Sequence, residues 1–294
     1  MLQGTPVYDI CTLSDFRQDD IMVSRFAPYL EHHKNLYAAH RHTFYHVVFF
    51  TGGAGTHNID FEDFEVKPGQ IYFMVPGQVH SWSFEGFTDG YIINFSDTFF
   101  QSLLLDTAYL ERFAFFSGDV SEAVINLPAG AGEKIGNLFE EIIKEWESSP
   151  KQTTDLMRVL MLQVFILVNR FKGANPKGPA SYNQTLLKNF RKLIEQQYKK
   201  LRLPKDYAAL LYITPNHLNA VCKDLLGKQA GELIRNRALL EAKRLLTNPE
   251  LTITEIAMEL NFGDNSYFTK FFKKTEGITP EEFRKNILTH NHHD

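Results

Sequence analysis

The stretch Ile253-Thr-Glu-Ile-Ala-Met-Glu-Leu-Asn-Phe-Gly-Asp-Asn-Ser-Tyr-Phe-Thr-Lys-Phe-Phe-Lys-Lys-Thr-Glu-Gly-Ile-Thr-Pro-Glu-Glu-Phe-Arg284 announces three helix starts. Thr252 with Glu255 forms a capping box, Asp264 caps a second helix, and Thr279-Pro280-Glu281-Glu282 combines a capping box with proline at the first helical position. Working back along the chain, Ala208, Ile213, Leu218, Val221, Cys222, Lys223 and Gly227 correspond to Ala257, Phe262, Phe268, Phe271, Phe272, Lys273 and Gly277. The offset is 49 before the turn and 50 after it, with one extra residue near Gly263. Each copy holds a short helix with a small alanine, a turn closed by one apolar side chain, and a capped second helix. These are the parts of a helix-turn-helix, because the alanine lets two helices approach closely. Leu218, Phe268, Phe271 and Phe272 are expected in the core.

Between the copies, Gly231 to Thr247 reads as a helix on the order of 25 Å long. That length suits a connector placing two reading helices in successive major-groove segments, since a DNA turn is about 34 Å. Thr214 followed by Pro215 marks another helix start, and roughly seven helices are expected from Gln184 onward.

Upstream the composition changes. Gly173-Ala-Asn-Pro-Lys-Gly-Pro-Ala-Ser181 has the make-up of a linker. Before it, Ile135, Leu138, Phe139, Ile142, Ile143 and Trp146 recur at helical spacing; Leu156, Val159, Leu160, Gln163, Phe165 and Leu167 carry a second helix after a break at Ser148-Ser149-Pro150. Earlier still come short aromatic and β-branched runs bounded by turns: Tyr45 to Thr51, Thr56 to Phe61, Phe64 to Val66, Ile71 to Val75, His80 to Phe84 and Gly90 to Phe95. This spacing predicts an all-β barrel or sandwich. The expected domains are a barrel over 1–131, a helical hairpin over 132–172, a linker over 173–181 and an all-α domain over 182–294. The fold class is α+β with two domains.

The chain of 294 residues, 44% apolar and 22% charged, has the composition of a globular protein, which excludes disordered and fibrous classes. Its net charge of -4 divides into -9 over residues 1–181 and +5 over 182–294, so the helical part is the one suited to phosphates. Cys11 and Cys222 stand in different regions, which argues against disulfides and a cysteine zinc site. No signal peptide is read at Met1 to Ile10, and the longest apolar run, Val159 to Val168, is too short for a bilayer, so the expectation is a cytoplasmic protein without a membrane partner.

The run Ile253 to Arg284 resembles the signature of the AraC (arabinose-operon regulator) family almost position for position, and the resemblance extends over about 183–288. It implies a sequence-specific DNA-binding regulator, more often an activator than a repressor, with double-stranded DNA as partner. Carried over by position, Asn216, Asn219 and Ala220 read bases from the first unit, with His217 and Lys223 beside them. Asn265, Ser266, Tyr267 and Lys270 read from the second. Asparagine can bond an adenine edge bidentately, and lysine reaches guanine or phosphate. Ala220 departs from the long polar side chain common there, which leaves the first unit fewer direct readers. A helical array that binds protein instead of DNA is the competing reading.

The segment His40-Arg41-His42-Thr-Phe-Tyr-His46, with Gly52-Gly53, Pro68-Gly69, Pro76-Gly77 and His80, resembles the cupin barrel that many such regulators carry. Metal-binding cupins use two histidines one residue apart, a glutamate about four further on, and a later histidine. Here His46 stands in the place of the glutamate. The expectation is that His40, Arg41, His42, His46, His80 and Trp82 line a pocket for a small-molecule effector, with Phe44, Phe50, Tyr72, Phe73, Phe84 and Tyr91 as further aromatic lining and with no metal, cofactor or catalytic residue. The alternative is a metal-binding or enzymatic cupin, since imidazoles alone hold zinc, iron or nickel. The hairpin corresponds to the segment through which family members pair, so a homodimer is expected, with RNA polymerase as a further partner.

Overall fold

A computed structural model describes residues 6–10, 20–101, 103–104, 109–148, 153–172 and 181–290. These residues form two compact units, 6–172 and 181–290. The expected linker falls, except for Ser181, outside the described residues, as do Cys11 and Ser149-Pro150.

The first unit contains β1 (Val7–Tyr8), β2 (Ile21–Arg25), α1 (Phe26–His32), β3 (His40–His42), β4 (Tyr45–Gly52), β5 (Gly55–Ile59), β6 (Glu62–Val66), β7 (Gln70–Met74), β8 (Val79–Phe84) and β9 (Asp89–Phe95). After these come α2 (Val120–Ala123), β10 (Val124–Asn126), α3 (Ala131–Glu147) and α4 (Thr153–Phe171). Two five-stranded sheets result, ordered β1-β3-β8-β5-β6 and β10-β7-β4-β9-β2. All pairings are antiparallel except β1 with β3.

The six strands read from the sequence are present, with one correction at a turn. The run Thr56 to Phe61 does not stay extended: β5 ends at Ile59, and Asp60 and Phe61 both adopt positive φ, 50° and 73°, before Glu62 pairs back with Ile59. This is a two-residue hairpin turn without glycine. It is held from outside, because the Asp60 carboxylate accepts from Val79 N at 3.2 Å and Gln78 Nε2 at 2.9 Å.

The second sheet is buried on both faces, which explains the near-continuous apolar runs of β4, β7 and β9. Val48, Phe50, Tyr72, Met74 and Ile92 face the first sheet with Trp82 and Ile59. Val47, Phe49, Ile71, Phe73, Ile93 and Phe95 pack instead against Ile135, Leu138, Phe139 and Ile142 of α3 and Met161, Val164 and Phe165 of α4. The α4 face is thus corrected: Met157, Leu160, Met161, Val164, Phe165 and Val168 are buried, whereas Leu156, Val159 and Gln163 point outward.

The second unit contains α5 (Tyr182–Gln197), α6 (Pro204–Leu210), α7 (Pro215–Leu226), α8 (Ala230–Leu246), α9 (Ile253–Glu259), α10 (Asn265–Glu276) and α11 (Pro280–His290). Its core includes Phe190, Tyr207, Ala208, Leu218, Ile234, Ala238, Ala257, Phe268 and Phe272. Phe271, expected in the core, is only half-buried and rests against Phe262 with ring centroids 5.0 Å apart. Among the described residues no helix is long and apolar enough to cross a membrane.

Candidate nucleic-acid interface and barrel histidine cluster

The two helix-turn-helix copies match in backbone detail. In each, the turn closes by one bond back to the small alanine, Ile213 N to Ala208 O at 3.0 Å and Phe262 N to Ala257 O at 2.8 Å. In each, a residue other than glycine takes the left-handed conformation, Tyr212 at φ 56° and Asn261 at φ 58°. The second helices then start on side-chain caps: Thr214 accepts from His217 N at 3.2 Å, and Asp264 accepts from Tyr267 N at 2.6 Å. They end on the left-handed glycines Gly227 and Gly277. The connector α8 is tied to its surroundings by charge. Arg237 pairs with Glu195 of α5 at 2.7 Å and lies 4.0 Å over the Tyr198 ring, and Lys243 pairs with Glu276 at the end of α10 at 3.0 Å.

Burying Leu218, Val221 and Cys222 on one side of α7, and Phe268 and Phe272 on one side of α10, turns the opposite faces to solvent. Asn216, His217, Ala220 and Lys223 are exposed on α7; Asn265, Ser266, Tyr267 and Lys270 are exposed on α10. The His217 ring stacks near Tyr182, with centroids 6.4 Å apart and planes at 21°.

Asn219 departs from this pattern. It is half-buried, and its side-chain carbonyl accepts from Ala230 N at 3.0 Å, the first helical amide of α8. Gln229, the residue before that helix, supplies no cap of its own. The second copy needs no such bond, because Pro280 stands where Ala230 does and has no N–H. The oxygen that bidentate reading of adenine requires is therefore engaged within the protein. Asn219→Ala is expected to lower the melting stability of this unit by about 1 kcal/mol and to weaken DNA binding evenly across sequences. Selection of DNA sequences by the variant checks this; relaxed preference at a single base pair would restore Asn219 as a reader.

In the barrel, register places the histidines together. His40 on β3 pairs with His80 on β8, and His57 on β5 pairs with Trp82 on β8. His46 on the opposing sheet lies against them, its ring centroid 5.1 Å from His42 and 5.2 Å from His80. All five histidines and Trp82 are buried. His42 Nε2 lies 2.7 Å from His80 Nε2, and His57 Nε2 lies 2.9 Å from His80 Nδ1. His40 Nδ1 donates to Ala38 O at 2.8 Å, and His46 Nδ1 to Asn94 Oδ1 at 2.7 Å. Burial away from water holds these imidazoles neutral, pushing His40 down to about 4 and His46 to about 3. His42, His57 and His80 move the same way, with burial the main cause and the neighbouring histidines adding to it.

His57 and Asn94 were not foreseen. The alternation Thr56-His57-Asn58-Ile59, with His57 and Ile59 buried and their neighbours less so, was the available signal for the first. Asn94 lies within an apolar run and gave none. Arg41 alternates away from the interior, and its Nε donates to Gly77 O at 3.1 Å instead of facing the cluster. Phe73 and Tyr91 also leave the expected lining: Phe73 stacks on Phe115 at 4.0 Å, and Tyr91 donates its hydroxyl to Glu140 of α3 at 2.6 Å. Phe44, Phe50, Tyr72 and Trp82 remain between the sheets, with Phe84 packed at their edge.

Two family models match this chain, an AraC-like ligand binding domain over residues 24–163 and a helix-turn-helix domain over residues 207–286. Among curated relatives, the uncharacterized HTH-type transcriptional regulator YijO of Escherichia coli K12 is 26% identical over 157 residues, covering 53% of this chain and 55% of that protein. The chain thus spans about half the length of that relative. The HTH-type transcriptional activator RhaR of Escherichia coli K12 is 21% identical over 265 residues, covering 85% of this chain and 88% of that one. The solved structure of ToxT from Vibrio cholerae O395 aligns over 92% of this chain and 98% of its own, at 16% identity and a TM-score of 0.44. The first family match falls on the two-sheet unit and the second on the duplicated helical unit. With two helix-turn-helix units on one connector and an AraC-like ligand binding domain matched over the two-sheet unit, this chain belongs to the AraC family of DNA-binding transcription regulators.

Proposed function

We propose that a small molecule bound between the two sheets governs how two copies of the helical unit meet paired DNA subsites. The observation that carries this reading is the duplicated helix-turn-helix, whose two solvent faces both present polar side chains. Asn216, His217 and Lys223 face DNA from the first unit, with Ala220 offering a methyl contact. Asn265, Ser266, Tyr267 and Lys270 face it from the second. Residues 1–131 act as sensor, 132–172 as the pairing element, 173–181 as linker and 182–294 as reader. The protein acts in the cytoplasm as a regulator and not as an enzyme, and the activator name of RhaR supports activation, with RNA polymerase as a further partner.

Pairing through α4 is supported by its outward stripe of Leu156 (45% exposed), Val159 (51% exposed), Gln163 and the half-buried Ile166. Joining two reading units makes the second contact effectively intramolecular and raises avidity without any new contact. The contacts of the second sheet support a route from pocket to hairpin. His46 and Asn94 face the interior from β4 and β9, while Phe49 and Tyr91 on the same strands pack against Phe139 of α3. Arg25 adds a polar tie, pairing with Asp89 of β9 and with Glu140 of α3.

The test is selection of genomic DNA fragments by the purified full chain at stated salt. Enrichment of a motif with two subsites about one helical turn apart is expected; no enrichment at low salt, with or without candidate ligands, would overturn the reading. Lys270→Ala is expected to reduce the salt slope of binding by about one with sequence preference unchanged, if its contact is to phosphate. A loss of preference at one base pair would identify it as a base reader.

A further inference from the structure

Among the described residues the five barrel histidines have no acidic hydrogen-bond partner. His40 Nε2, His42 Nδ1, His46 Nε2 and His57 Nδ1, together with Trp82 Nε1, are buried without a hydrogen-bond partner. So many orphaned polar atoms in one place is unusual, since buried polar groups are as a rule satisfied. One ring nitrogen from each of His40, His42 and His80 lies within 4.8 Å of the others. Three nitrogens binding one ion at about 2.0–2.1 Å must sit somewhat closer than that limit, and the 2.7 Å between His42 Nε2 and His80 Nε2 shows how near these rings already come.

We propose that this cluster is a divalent transition-metal site with His40, His42 and His80 as its ligands. Their outer contacts suit the role. His40 Nδ1 donates to Ala38 O, leaving Nε2 with its lone pair, and His57 Nε2 can accept from His80 Nδ1, leaving His80 Nε2 with its own. His57 is thus a positioning residue for the metal. Three imidazoles leave a position on a four-coordinate ion. That position takes either His46, whose Nδ1 is occupied by Asn94, or a donor atom of the effector. With His46 in place of glutamate the donors are all nitrogen, a set that favours zinc, nickel, cobalt or copper over magnesium, calcium or manganese.

The test uses the full chain, freed of metal by chelation and titrated with Co²⁺, with visible absorption and equilibrium dialysis as readouts. DNA is absent from the assay, so its outcome is separate from the regulator reading. One ion per chain is expected, with the d–d bands of nitrogen-coordinated cobalt, and Zn²⁺ should displace it. His42→Ala and His80→Ala are each expected to weaken binding by roughly 100-fold or more, and His57→Phe by about 10–100-fold. His32→Ala, which removes an exposed histidine, should change nothing. Circular dichroism establishes which variants fold. Absence of stoichiometric binding by the wild-type chain would overturn the proposal whatever the variants do, as would undiminished binding by a folded His42→Ala or His80→Ala chain.

Discussion

Replacing Ala257 by leucine is expected to destabilise the helical unit by about 1–3 kcal/mol and to remove the second reading helix from its place. Ala257 is almost completely buried where α9 closes on α10, and its carbonyl accepts the bond from Phe262 N that shapes the turn. At a site only 2% exposed, three added carbons cannot turn to solvent, so the close packing of α9 on its neighbours must give. Because about 1.4 kcal/mol corresponds to tenfold in binding, a cost of that size carried into the bound arrangement should lower affinity for a two-subsite DNA by roughly 5- to 150-fold. The loss should concentrate on the subsite proposed to be read from α10 by Asn265, Ser266 and Lys270. Met258→Ala, one residue away and 69% exposed, is the control and should leave binding and melting unchanged. Equal losses in the two variants would show that close packing of α9 on α10 does not position the reading helix.

A comparable effect is expected in the barrel from Gly90→Ala. Gly90 lies on β9 opposite Phe50, beside the irregularity between Phe50 and Gly52, and an added Cβ would stand 2.0 Å from Phe49 O. The obstacle is backbone of the central neighbouring strand, so no side-chain rotation relieves it. The cost should reach about 3 kcal/mol, read as a downward shift in the melting of the barrel. Gly52→Ala, where an added Cβ meets nothing within 4 Å, should shift the same transition by less than about 1 kcal/mol. If Gly90→Ala melts with the wild type, β4 and β9 do not approach as closely as the register indicates.

Much of this protein was legible from the sequence because the relevant signals are local. Caps such as Thr252, Asp264 and Thr214 act within three residues of where they stand. The repeat exposed the second helix-turn-helix through the first, and seven helices were expected where seven are described from residue 182 onward. Periods of two and of about 3.6 separated barrel from hairpin for the same reason: burial on one side repeats with the backbone.

What the tertiary structure alone decided depends on residues distant in sequence. Asn219 looked free to read a base until folding brought the amide of Ala230 to its carbonyl. Arg41 looked like a pocket residue, but strand alternation turned it to Gly77. Phe73 and Tyr91 were assigned to the pocket because an apolar run on a sheet buried on both faces carries no sign of which face is which. Composition and pattern determined that there would be a barrel or sandwich, a helical hairpin and two helix-turn-helix units, and the family resemblance implied that these units read DNA. The pairing of β3 with β8 and β8 with β5, bonds between strands up to 40 residues apart, decided that His57 would join His40, His42 and His80 in one buried cluster.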